Sequence, residues 1–200
     1  MNLREKFAQM YSVWLFFHDD GRVSLKLPQF DKRGEAALDP FLVMRDGIGQ
    51  ISRPLGTKPI DPLQGIKALN GIQKFLVEHT RLGIPALAHE ECLAGVMAKG
   101  ATLFPAGINL GSLWDESLVR NVARMIGEEL WSAGSRQGLA PVLDVSRDVR
   151  WGRTEETLGE DPYLVACLAL AYTVGLQGED RKVIATLKHF AGHSFSEGGY

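Results

Sequence analysis

Cysteine is scarce in this chain. Cys92 and Cys167 are the two among 200 residues, too few for a disulfide framework at this length, so reduced thiols in a cytoplasmic protein are the expected state. Apolar runs such as Val13 to Phe17 are far short of the ~20 residues a membrane span requires. That run ends in His18-Asp19-Asp20 and lacks the basic leader and small-residue cleavage site of a secretory signal. A preponderance of one charge is also lacking. The formal net charge is −2, with acids and bases spread along the chain, which argues against a nucleic-acid partner or an anionic-membrane surface. There is no internal repeat and no low-complexity segment. A G-x-G-x-x-G turn and a P-loop lysine are both missing, which removes the usual signals of nucleotide binding. What is present, 45% apolar and 23% charged residues, is the composition of an ordinary soluble globular protein with room for one core.

Residues 1–40 are expected to form a leading helix and an irregular connection. Leu3, Phe7, Met10, Tyr11 and Trp14 recur at near-helical spacing and predict an amphipathic helix over 2–17. Residues 18–40 are polar, with Gly21, Pro28, Gly34 and Pro40, and predict an irregular segment. A β/α rhythm occupies 41–200. Short apolar strands are expected at Gly47–Ser52, Ile84–Ala88, Leu139–Val145 and Val183–Leu187. Helices opened by Asp61-Pro62, Asp115 and Asp161-Pro162 separate them, each start combining an N-cap with, in two cases, proline in the first turn. Alternating strands and helices without hairpin signals mean an α/β protein with parallel strands.

Chemistry-bearing side chains gather where these strands end. The second strand runs into His89-Glu90-Glu91, the third into Asp144 and then Arg147, Asp148, Arg150 and Arg153, the fourth into Lys188-His189. Active sites of (β/α) barrels lie at strand C-termini, whereas a doubly wound sheet would carry a glycine-rich first turn. The barrel is therefore the expected architecture. Donors and acceptors side by side suit sugar hydroxyls, which both give and take hydrogen bonds.

In this order and spacing the chain resembles glycoside hydrolase family 3, and within it the bacterial β-xylosidase and β-glucosidase members. The resemblance rests on Gly83-Ile-Pro-Ala-Leu-Ala-His-Glu-Glu-Cys-Leu-Ala-Gly95, Arg147-Asp-Val-Arg-Trp-Gly-Arg153, Gly159-Glu-Asp-Pro162, Lys188-His-Phe-Ala-Gly192 and Ser196-Glu-Gly-Gly199. It implies an α/β fold that is a partial (β/α)8 TIM-type barrel, about its first four strands, in a single incomplete domain that stops at its C-terminus before the barrel closes. It also implies hydrolysis of β-linked glucosyl or xylosyl residues from non-reducing ends by a retaining double displacement, without cofactor or metal. By the same resemblance Glu91, Arg153, Lys188 and His189 bind the sugar. The nucleophile and the acid/base are expected outside these residues, in the rest of the barrel and a following domain. Two departures stand out: Ala94 where many relatives have histidine, and Tyr200 where many have arginine.

Other assignments stay open at this level. Glu90 is a candidate support for Glu91, Asp144 orients Arg153 or touches the sugar, and Tyr200 replaces a pocket cation. Arg147 and Arg150 are expected in structural ion pairs with Asp148, Glu155 or Glu156. His189 and His193 stand four apart but leave a strand into a loop, a poor setting for a metal. A non-catalytic sugar-binding module, or one half of a split enzyme, is the alternative to an ordinary glycosidase.

Overall fold

The computed structural model describes residues 1–26 and 38–196, which divide into two compact units. The first comprises residues 1–90, 98–100 and 133–135. It begins with α1 (Leu3–Ala8), closed at its start by a capping box in which Asn2 and Glu5 exchange side-chain and backbone hydrogen bonds. The helix expected over 2–17 stops there. Ser12–Phe17 is instead strand β1, because Val13, Leu15 and Phe17 face the core on alternate positions while a parallel neighbour takes up the backbone. Leu3, Phe7, Met10 and Tyr11, which define the apparent helical face, are exposed.

The expected irregular segment is also interrupted. β2 (Val23–Leu25) folds back on β1 as an antiparallel hairpin, so the reading of an arrangement without hairpins does not hold. The remainder of that segment, 27–37, lies outside the described residues. After α2 (Pro40–Val43) come β3 (Gln50–Ser52), α3 (Pro62–His79) and β4 (Leu87–Glu90). β3 pairs in parallel with β1 and with β4. Asp61 caps α3 by accepting from Gln64 N at 3.1 Å, with Pro62 at the first helical position. Leu69, Ile72 and Leu76 of α3 join Leu15, Ile51 and Ala88 of the sheet in one apolar core. Each of these leucine and isoleucine side chains contributes about 1.5–3 kcal/mol on burial.

The second unit comprises residues 91–97, 101–132 and 136 onward. It contains α4 (Gly107–Gly111), α5 (Glu116–Ser132), β5 (Gln137–Gly138), α6 (Pro162–Gln177) and β6 (Ile184–Ala185). The regular ladder between β5 and β6 is parallel and short. Pro141 has no N–H to give it, and a single bridge resumes the pairing at Val142 and Lys188. The fourth expected strand is therefore in place but short, whereas the third falls just before its apolar run, which holds only the bridge at Val142. α5 and α6 lie in close contact. A Cβ on Gly127 would stand 2.3 Å from the Leu176 carbonyl oxygen, and one on Gly175 2.2 Å from that of Arg120. Among the described residues no helix is long and apolar enough to cross a membrane.

Candidate active site

Parallel pairing carries the polar residues of the second unit to one place. Leu143 N donates to Lys188 O at 2.7 Å and Lys188 N to Pro141 O at 3.2 Å, so the residues just beyond this rung, Asp144 and His189, stand beside each other. His189 Nδ1 and Asp144 Oδ2 are 2.7 Å apart. An ionised carboxylate only accepts, so Nδ1 carries the proton and Nε2 is left for another partner. Asp144 is buried, its side chain 5% exposed. It thus holds His189 by a direct hydrogen bond and acts on Arg153 through its charge.

Glu91 opens the segment 91–97. That segment is tied to α6 by the Tyr172 hydroxyl, which donates to Cys92 O at 2.7 Å. Burial pushes the Tyr172 hydroxyl pKa well up, keeping it a donor. Lys188 Nζ reaches Glu91 Oε2 at 2.9 Å, with the lysine side chain 11% and the carboxylate 31% exposed. Phe104 N also donates to Ala94 O, holding the far side of the segment.

Arg153 leads into a short 3-10 turn, Thr154–Glu156. Its Nε and Nη2 donate to the two oxygens of Glu156, each at 2.6 Å. The hydrogen bonds from Arg153 hold the Glu156 carboxyl below its ordinary pKa, and Lys188 and His189 add to the shift. The Arg153 guanidinium is raised by Glu156 first, opposed by burial, with Glu91 and Asp144 contributing through their charge. Glu91, Asp144, Arg153, Glu156, Lys188 and His189 therefore stand near enough to one another to interact through their charges. Trp151 is buried beside them, and His193 packs between Trp151 and His189. Among the described residues no three His, Cys, Asp or Glu side chains form a set able to hold a metal ion.

The structure brings Glu91, Arg153, Lys188, His189 and Asp144 together within the second unit. Glu90, by contrast, is fully buried in the first unit and accepts from Leu55 N and Gly56 N, which makes it a brace for the turn after β3. Tyr200 lies outside the described residues. Arg150 pairs with Asp148 as expected, whereas Arg147 stacks on Phe195, 4.4 Å from its centroid. A cavity of about 550 Å³ is lined by Asp144, Arg147, Glu160, Phe190 and Phe195 among others. Two participants escaped the sequence reading. Glu156 was visible there only as one of several partners for other arginines, and His193 only as a spacing.

Residues 2–200 match the Glycosyl hydrolase family 3 N terminal domain. The chain belongs to glycosyl hydrolase family 3. Its relatives include a putative beta-xylosidase of Formosa agariphila, 32% identical over 207 residues that cover 100% of this chain and 26% of that protein. A periplasmic beta-glucosidase of Salmonella typhimurium is 39% identical over 132 residues, covering 64% of this chain and 17% of that one. Among solved structures, the exo-1,3/1,4-beta-glucanase of a Pseudoalteromonas species superposes with a TM-score of 0.80 at 28% identity over 100% of this chain and 24% of its own. The beta-glucosidase of Listeria innocua in complex with isofagomine gives 0.77 at 28% identity, over 100% of this chain and 25% of its own. The chain thus spans about a quarter or less of the length of these family 3 relatives. Its α/β fold is the corresponding part of their TIM-type barrel.

Proposed function

We propose that this chain is the sugar-binding part of a glycoside hydrolase that removes β-linked glucosyl or xylosyl residues from non-reducing ends. The observation that carries the reading is the paired arrangement at the ends of the parallel strands. Lys188 stands against Glu91 at 2.9 Å and His189 against Asp144 at 2.7 Å, with Arg153 in the same electrostatic cluster. A ring hydroxyl is both donor and acceptor, so it fits between an ammonium and a carboxylate without stranding either. Glu91 accepts, Lys188 and Arg153 donate, and His189 offers Nε2. Contacts of this kind tighten as the ring flattens toward an oxocarbenium-like transition state, so they contribute to rate as well as to affinity.

A retaining double displacement requires two carboxyl groups about 5 Å apart, a nucleophile and an acid/base. Glu90 is committed to backbone donors, and Glu91 and Asp144 each already pair with a cation or an imidazole. In this proposal the reacting carboxylates come from polypeptide outside residues 1–200, with Tyr200 as a supporting contact. A cytoplasmic location belongs to the same proposal, supported by Cys92 and Cys167 both standing as thiols; cell fractionation tests it.

The decisive experiment is Lys188→Ala in the complete enzyme, assayed on p-nitrophenyl β-D-glucoside and β-D-xyloside. Loss of a charge-assisted contact made to the sugar lowers kcat/KM by about 10²-fold. An unchanged kcat/KM on both substrates would remove Lys188 from the sugar site.

A further inference from the structure

Arginine carries five N–H donors and no acceptor. At Arg153 three of the five are placed. Nε and Nη2 go to Glu156, and Nη1 lies 3.2 Å from His193 Nε2. Because the guanidinium can only donate, His193 Nε2 is the acceptor of this bond and carries no proton while it lasts. The ring is exposed but packs against two others. It meets the buried Trp151 edge-on, with centroids 5.3 Å apart at 85°, and lies 4.3 Å from the ring of His189. Gly192, at φ 83°, turns the chain so that His193 opens a 3-10 turn back against Trp151. His193 is thereby tied to two of the proposed sugar contacts at once, Arg153 by a hydrogen bond and His189 by ring packing.

We propose that His193 is a positioning residue that fixes the orientation of the Arg153 guanidinium toward the sugar. The inference rests on the reading of Arg153 as a sugar contact. Glu156 alone sets the geometry of the Arg153–Glu156 pair but leaves the pair free to swing on two long side chains. The His193 acceptor supplies the third point that stops the swing. With three donors so committed, one N–H remains on each terminal nitrogen of Arg153. Each of these N–H groups can donate to a ring oxygen. The ligand class that uses both is a sugar with unsubstituted ring hydroxyls.

The test is a double-mutant cycle in the complete enzyme, read as kcat/KM on p-nitrophenyl β-D-glucoside and β-D-xyloside. Arg153→Ala is expected to lower kcat/KM by about 10²-fold, and His193→Phe, which keeps a ring but removes the acceptor, by about ten-fold. His193→Gln, whose amide oxygen accepts from the guanidinium, is expected to recover to within about three-fold of the parent. His193→Phe added to Arg153→Ala is expected to cost nothing further, since its effect passes through that arginine. A merely structural histidine would give equal losses in both backgrounds, and that result overturns the proposal. So does a His193→Phe enzyme with parental kcat/KM while Arg153→Ala is impaired. A parental kcat/KM for Arg153→Ala would instead bring down the sugar-contact reading and this inference with it. Should His193→Phe fail to fold, as judged by thermal melting, His193→Leu serves as the acceptor-free variant in the same cycle.

Discussion

Glu91, Asp144, Glu156 and Glu5 are all carboxylates, yet their surroundings give them different work. Three stand in the polar cluster of the second unit, where each meets a cation or an imidazole. Glu5 is in the first unit, where Arg81 grips it through two 2.6 Å hydrogen bonds and Asn2 N adds a third. These bonds, led by that from Arg81, bring the Glu5 pKa from 4.5 down to about 2. A carboxyl whose pKa is depressed on folding stabilises the native state above its ordinary value and loses that contribution as pH falls through the folded value. Thermal melting of the parent protein is therefore expected to drop between pH 4.5 and about 2 more steeply than that of Glu5→Gln, which starts lower at neutral pH. Parallel profiles for the two proteins would show that the Arg81 pair contributes nothing to folding. The Arg81 pairing was not visible in the sequence, since Arg81 is 76 positions from Glu5.

At the scale of elements, the three long helices were legible because their signals are local. Asp61, Asp115 and Asp161 each accept from the backbone N–H three residues on, and a cap of that kind needs no distant partner. β1 was not legible in the same way. Its six residues carry apolar side chains at spacings compatible with either a helix or a strand, and the decision came from β3, whose Gln50–Ser52 pairs with Ser12–Trp14. The packing of α5 on α6 is another non-local matter. Gly127 and Gly175 look like weak points in helix interiors, yet each faces a carbonyl oxygen of the opposite helix too near to admit a methyl group. Gly175→Ala is expected to raise local helix propensity and still destabilise the protein by about 1–3 kcal/mol through overpacking. Urea denaturation measures it, and an equal or higher midpoint would mean that the helices separate without cost.

For the whole molecule, the decisive fact is the ratio of this chain to its relatives, about a quarter or less of their length. A TIM-type barrel closes with eight parallel strands. Among the described residues β6 pairs with β5 alone, and Ile184, Leu187 and Phe190 along that stretch are exposed at 48%, 55% and 99%. An open strand edge carrying apolar side chains is a template for association. Residues 1–200 produced alone are expected to sediment as species larger than 22.0 kDa or to precipitate. A monodisperse monomer with a cooperative melt would show that the two units satisfy their own edges.

The sequence by itself determined the α/β class, the positions of the three capped helices and the set of residues that end the strands. These depend on spacing and on contacts within a few positions. It also carried the family, through blocks whose order survives without any knowledge of contacts. Only the tertiary structure decided that Lys188 meets Glu91, that Asp144 meets His189, and that Glu156 and His193 meet Arg153. Those pairings join residues from 3 to 97 positions apart. A hydrogen bond forms only where the fold brings a donor and an acceptor within about 3 Å of each other, and residue type alone does not encode that distance.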